Sequence, residues 1–167
     1  VDSGAALLAE LPRLRRYARA MLGDRAAADD LVQDTLERAW SRFEQWRPGT
    51  ELRAWLFGIM HNLRVDQLRR PGLSTRPLDD EMPEIPMRAT QADQLELRDL
   101  EAALMRLPEE QRAVLLLVAL EGMRYEEVAQ TLAIPVGTVM SRLARGRERL
   151  RQILDGGPSV VQLRVVK

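Results

Sequence analysis

The stretch YEEVAQTLAIPVGTVMSRLARGRERLR, residues 125–151, decides the fold. A first helix runs from about Tyr125 to Leu132, and Ala133, Ile134 and Pro135 make a short turn. In the second helix Val136, Val139, Leu143, Gly146, Leu150 and Ile153 recur at spacings of 3, 4, 3, 4 and 3. Such spacing builds an apolar seam that faces its own domain. At about 100° per residue, Thr138, Ser141, Arg142, Arg145 and Arg149 gather on the opposite side. Ala129 is small where the two helices should cross. A short helix, a tight turn and a longer helix with one apolar and one hydroxyl/arginine face are the ingredients of a helix-turn-helix.

The arginines stand out because the chain is neutral, with 25 basic and 25 acidic residues. Residues 137–151 hold five arginines and one acid, whereas residues 96–127 carry eight acids and four arginines. For an arginine-rich helix alone, a solvated face is the plainer reading. The helix-turn-helix context favours a surface shaped for a polyanion, and the segregated charge would point that surface at DNA. All the basic residues except Lys167 are arginine, which suits carboxylate and phosphate and fits a GC-rich coding sequence equally well.

Upstream, the pattern is also helical. Leu7, Leu8, Leu11, Leu14, Tyr17, Ala18, Met21 and Leu22 recur at helical spacing up to the break at Gly23. A helix from about Ala26 to Phe43 places Leu31, Val32, Leu36, Ala39, Trp40 and Phe43 on one side. WRPGTE (46–51) is a loop, and a helix from Leu52 to Arg70 uses Trp55, Leu56, Ile59, Leu63 and Leu68 as apolar positions. Residues 71–90 then hold four prolines among acids and read as a flexible, extended linker. A linker of that length implies two domains. Helix resumes near Gln91, and Pro108 starts another helix that Gly122 ends. The expected organisation is all-α: a first domain over 1–70, a linker over 71–90, a helix-turn-helix domain over 91–155 and a tail over 156–167 of little pattern and partly disordered. The chain begins at Val1, not Met, as expected of a processed or engineered end.

Several function classes recede. The absence of cysteine excludes disulfides and thiolate metal sites and fits a reducing cytoplasm. No apolar run approaches a membrane span. His61 is the sole histidine, with only Asp66 near it in sequence. No glycine-rich phosphate loop, Ser/His/Asp pattern or metal-ligand spacing is present, so neither catalysis, metal nor cofactor is expected.

YEEVAQTLAIPVGTVMSRLARGRERLR resembles the second conserved domain of bacterial extracytoplasmic-function (ECF) RNA polymerase sigma factors, which reads the −35 promoter element. Independently, ADDLVQDTLERAW (28–40) and LRAWLFGIMHNLRVDQLRR (52–70) resemble the first domain of that family, which binds core polymerase and the −10 element. The two matches occur in the family's order and together cover roughly residues 7–154.

The resemblance implies a cytoplasmic sigma factor whose partners are core RNA polymerase, promoter DNA and an anti-sigma factor. It assigns Asp30, Gln33, Asp34 and Glu37 to the coiled coil of the largest polymerase subunit, and acids with an amide suit a basic partner. Leu31, Leu36 and Trp40 then face the bundle. Asn62 and the loop with Thr50 fall at a pocket for an unstacked −10 base, Trp46 offers that base an aromatic surface or else belongs to the core, and Arg64, Arg69 and Arg70 would follow phosphates. Thr138, Ser141, Arg142 and Arg145 would contact the −35 element, with Arg149 on phosphate. Met140 stands where the family often has a basic residue. It lies near the seam's edge, where packing is one reading, and its role is open. Two alternatives remain: a sigma-mimicking regulator that captures an anti-sigma protein without reading DNA, and a one-component helix-turn-helix regulator. The mimic usually carries a receiver domain. The one-component regulator leaves residues 26–70 unexplained.

Overall fold

A computed structural model describes residues 2–70 and 91–156, with side chains of 91–95 excepted. The expected linker 71–90 and all but the first residue of the expected tail lie outside the described residues. Every regular element among the described residues is helical. They fall into two compact units, the first built on the helices through Arg69 and the second chiefly on those from Gln91 onward.

The first unit contains α1 (Ser3–Ala9), α2 (Leu11–Leu22), α3 (Arg25–Ser41), a 3-10 turn (Phe43–Gln45) and α4 (Leu52–Arg69). The first apolar run is therefore two helices and not one. Pro12 sits in the opening turn of α2, and its ring would clash with the carbonyl of Leu8 in a continuous helix. Asp2 caps α1 by accepting from the Gly4 amide at 3.1 Å. Gly23 closes α2 at φ 75°, and Asp24 caps α3 by accepting from the Ala26 amide at 3.3 Å.

The core of this unit comes from one stripe of each long helix: Leu14, Tyr17, Ala18 and Met21 on α2, Ala28, Leu31, Val32 and Ala39 on α3, and Leu56, Phe57 and Met60 on α4. Tyr17 and Phe57 meet edge to face with centroids 4.9 Å apart. Three apolar expectations fail here, at Leu8, Trp40 and Leu68. Trp40 is 61% exposed and Leu68 is 49% exposed, while Phe57 and Met60 take the interior of α4. Thr35 is wholly buried in α3, with its hydroxyl donating to the Leu31 carbonyl at 2.7 Å.

The second unit contains α5 (Gln91–Met105), α6 (Glu109–Ala119), α7 (Tyr125–Leu132) and α8 (Val136–Leu154). Its core is Ala103, Leu104 and Leu107, the run Ala113–Leu117, then Met123, Val128, Ala129, Leu132, Val139 and Leu143. α6 packs along α8, and Gly146 is buried there beside Gln111. Pro108 is the cap of α6 and not its first residue.

Arg112 is a buried charge, 5% exposed, that the sequence pattern does not single out. Its guanidinium donates to the Leu107 carbonyl at 2.8 Å and the Leu104 carbonyl at 3.2 Å, closing the end of α5. The Leu104 carbonyl also accepts from the Leu107 amide at 3.1 Å, whereas the Leu107 carbonyl lies just past the helix, where no helical amide follows to pair it.

The turn between α7 and α8 has one unusual residue. Ala133 adopts φ 58°, the left-handed region that disfavours a Cβ by about 1–2 kcal/mol. Its side chain is exposed, so glycine removes no packing. Ala133→Gly is expected to stabilise the second unit by about 0.5–1 kcal/mol, after the glycine's larger unfolded-state entropy is subtracted. Urea melts of the two proteins measure it, and a loss of stability would mean that the left-handed conformation is not kept in solution.

Candidate nucleic-acid interface

On α8 the seam and the polar face separate largely as the spacing predicts. Val139, Leu143 and Gly146 are buried, and Leu150 and Ile153 are half-buried. Val136, at the start of the seam, is exposed. Thr138 and Arg142 are half-buried, whereas Ser141, Arg145 and Arg149 are exposed. The Ser141 hydroxyl turns back to the Thr138 carbonyl at 3.2 Å.

The five arginines of the basic stretch divide by their partners. Arg142 lies beside Glu110 of α6 at 3.8 Å, with its side chain 29% exposed. Arg151 is held by Glu148 at 2.7 Å and by Asp155 at 3.4 Å. The hydrogen bond that Arg151 donates to Glu148, and the Glu148 charge, raise the Arg151 pKa above the usual value. Arg145, Arg147 and Arg149 have no ion pair among the described residues. Arg145 and Arg149 line an open depression with Gln111, Ala144, Glu148 and Gln152. The Gln111 amide oxygen is buried there without a hydrogen-bond partner. Gln111 belongs to α6, and no local pattern in the sequence places it with the arginines. Met140 is 51% exposed, so it lies outside the core.

In the first unit, Asp30, Gln33, Asp34 and Glu37 all lie on the exposed side of α3. Gln33 donates to Glu37 at 3.4 Å. Trp40 continues that side, one turn beyond Glu37. The sequence pattern had placed this indole inward. Its ring instead lies over Gly4 of α1, where a Cβ would be 3.6 Å from it.

The loop before α4 is a turn from Arg47 to Thr50, closed by the Thr50 amide on the Arg47 carbonyl at 3.1 Å. Pro48 then Gly49, the latter at φ 100°, are the residues a type II turn needs at its two central positions. The Thr50 hydroxyl also donates to the Arg47 carbonyl, at 2.7 Å. Phe43 meets both neighbouring indoles, tilted against Trp46 with centroids 5.4 Å apart and edge to face with Trp55 at 6.2 Å. The Trp46 ring nitrogen is buried with no hydrogen-bond partner. Asn62, Arg69 and Arg70 are exposed, and Arg64 is half-buried, donating to Gln67 at 3.0 Å. Among the described residues no group of acids and histidine could hold a metal, and no helix is long and apolar enough to cross a membrane.

This is an all-α protein with a helix-turn-helix that presents unpaired arginines outward. Two family models match it, the sigma2 domain of PhyR over residues 7–61 and region 4 of sigma-70 over residues 97–150. The ECF RNA polymerase sigma factor EcfG of Rhodopseudomonas palustris is 37% identical over 149 residues, 89% of this chain and 82% of the relative. SigE of Mycolicibacterium smegmatis is also 37% identical, over 85% of this chain and 57% of the relative. The solved structure of the sigma factor RpoE with the anti-sigma factor NepR from Bartonella quintana aligns with a TM-score of 0.78 at 33% identity, covering 91% of this chain and 96% of that one. The chain belongs to the ECF RNA polymerase sigma factors, the proteins that bind core polymerase and direct promoter-specific initiation of transcription.

Proposed function

We propose that the two units divide the work of initiation. The first unit, residues 1–70, docks on core polymerase through Asp30, Gln33, Asp34 and Glu37 and holds the −10 element around Trp46, Thr50 and Asn62, with Arg64, Arg69 and Arg70 along the backbone. The second unit, residues 91–155, lays α8 in the major groove of the −35 element. The observation that carries this reading is the exposure of Arg145 and Arg149 without ion pairs on the outward side of a helix-turn-helix. An unpaired exposed arginine is available to phosphate and to guanine, whereas Arg142 and Arg151 would first have to leave their carboxylates. The protein works in the cytoplasm and is not an enzyme. Strand opening is driven by the binding energy of the polymerase complex.

An anti-sigma factor is the expected restraint. The RpoE structure contains NepR, and a second solved structure, CnrH with the cytosolic domain of CnrY, aligns at 29% identity with a TM-score of 0.68. One observation favours the mimic instead: the family model matching residues 7–61 is that of PhyR. Structures containing PhyR align at 18% and 22% identity, a likeness of fold alone. Run-off transcription with purified core enzyme separates the two. A sigma factor yields a promoter-dependent transcript, whereas a mimic binds an anti-sigma protein and yields none.

Reversing charge at Asp34 and Glu37 with lysine is expected to weaken core binding about tenfold, the scale of losing two contacts to a basic partner. Both side chains are exposed, so the helix content should not change. Titration of labelled protein with core polymerase checks it, and equal affinity would remove α3 from the interface.

Asn62→Ala is expected to slow open-complex formation and relax preference at one −10 base, at a cost of about 1–3 kcal/mol. The exposed amide has no hydrogen-bond partner among the described residues, so folding should be unaffected. Promoter melting and base preference at wild-type levels would assign Asn62 no part in the pocket.

A further inference from the structure

The side of α8 turned away from its seam is not wholly polar. Met140 is 51% exposed and Ala144, one turn on, is exposed as well. At about 100° per residue, Met140, Ala144 and Arg147, four and seven positions on from the first, fall along one stripe of the helix. An isolated exposed methionine is ordinary on a protein surface. This one shares its stripe with Arg147, which has no ion pair among the described residues. The arginine that the spacing puts nearest the seam, Arg142, is drawn aside to Glu110. The face that attracts a polyanion therefore presents an apolar side chain to it.

The major groove offers few partners for such a side chain. Guanine, adenine and cytosine present acceptors and donors, and only thymine adds an apolar group, its C5 methyl. A thioether set against the other three leaves base-edge polar groups unpaired, at a cost. The flexible methionine also adapts to a small apolar surface better than a branched side chain. A protein partner is the other possible occupant of this strip, and the charge around it favours DNA.

We infer that Met140, backed by Ala144, is a specificity-determining residue that packs on the C5 methyl of a thymine in the −35 element. The inference rests on the −35 assignment of α8 proposed above. It gives position 140 a base preference where a basic residue would instead seek guanine or phosphate.

The test uses the full chain with core polymerase on double-stranded libraries randomised through the upstream element. One library is built with thymidine and a second with deoxyuridine, which lacks only the methyl. Wild type is expected to select a thymine at one position in the first library and to lose about fourfold of that preference in the second, the scale of one methyl group taken from water. Met140→Ala should show the same loss in the thymidine library and no further change with deoxyuridine. Guanine preferences should persist throughout. If a motif is selected but its thymine preference survives both changes, the methyl contact is wrong and the −35 assignment stands. If Met140→Ala changes selection while deoxyuridine does not, Met140 acts on something other than the methyl and the inference fails. If no upstream motif is selected at all, the −35 assignment fails and the inference falls with it.

Discussion

Arg112→Met is expected to destabilise the second unit by about 3 kcal/mol. The substitution keeps an apolar stem of similar length and removes only the guanidinium. That group donates to the Leu104 and Leu107 carbonyls, and its side chain also lies 3.9 Å from Glu109. Hydrogen bonds from a charged donor contribute about 1.5–3 kcal/mol, and the Leu107 carbonyl left unmet costs about 1–3 kcal/mol, while Leu104 keeps the Leu107 amide. Water cannot replace the donor easily, because Leu104, Leu107 and Arg112 are all buried. The gain from no longer burying a charge offsets part of the loss. Urea unfolding of the full chain, followed by helical circular dichroism, measures the change. The transition of the second unit should move to lower urea while that of the first stays in place. A shift below about 1 kcal/mol would mean that the carbonyls at the end of α5 find other donors without cost.

Arg145→Ala and Arg149→Ala are expected to differ in kind. An arginine fork on guanine discriminates by about 1–3 kcal/mol, whereas a phosphate contact adds affinity and no sequence information. Arg145 lies on the outward side of α8 with Ser141 and Ala144, so its loss should lower both affinity and −35 selectivity. Arg149 lies one turn later, beside Gln152 and Gln111. Its loss should weaken binding to every sequence alike and reduce the slope of log affinity against log salt by about one unit. Neither side chain has an ion pair among the described residues, so neither change should disturb folding. Core polymerase binding should survive both. Binding of the full chain to −35 duplexes over a salt series distinguishes the two roles. Equal affinity for wild type and both variants would reduce the arginine face to a solvated helix surface.

Local chemistry made much of the molecule legible in the sequence. The helix-turn-helix falls where spacing and turn residues put it, with α7 over Tyr125–Leu132 and α8 over Val136–Leu154. A seam repeating at 3 and 4 residues is a property of the helix itself and needs no knowledge of the partner. The loop at Pro48 and Gly49 follows for the same reason, since a fixed φ and a positive φ are residue properties. The split between α1 and α2 was also encoded locally, in Pro12, although the continuous leucine spacing masked it.

What the tertiary structure alone decided concerns which residues lie opposite one another. Periodicity put Trp40 with Leu31 and Leu36, yet only one side of its ring meets α1, at Gly4, and the indole stays largely outside. Spacing gathered Arg142, Arg145 and Arg149 on one face, yet Glu110 occupies the first of them and leaves Arg145 and Arg149 for a ligand. Arg112 reads as one more charge on a helix, and its burial follows from the carbonyls that α5 happens to end beside it. The sequence by itself determined the helices, the turn and the basic face, because those depend on neighbours three or four residues away. Exposure, ion pairing and burial of a charge depend on residues brought close by packing, and no local spacing specifies those.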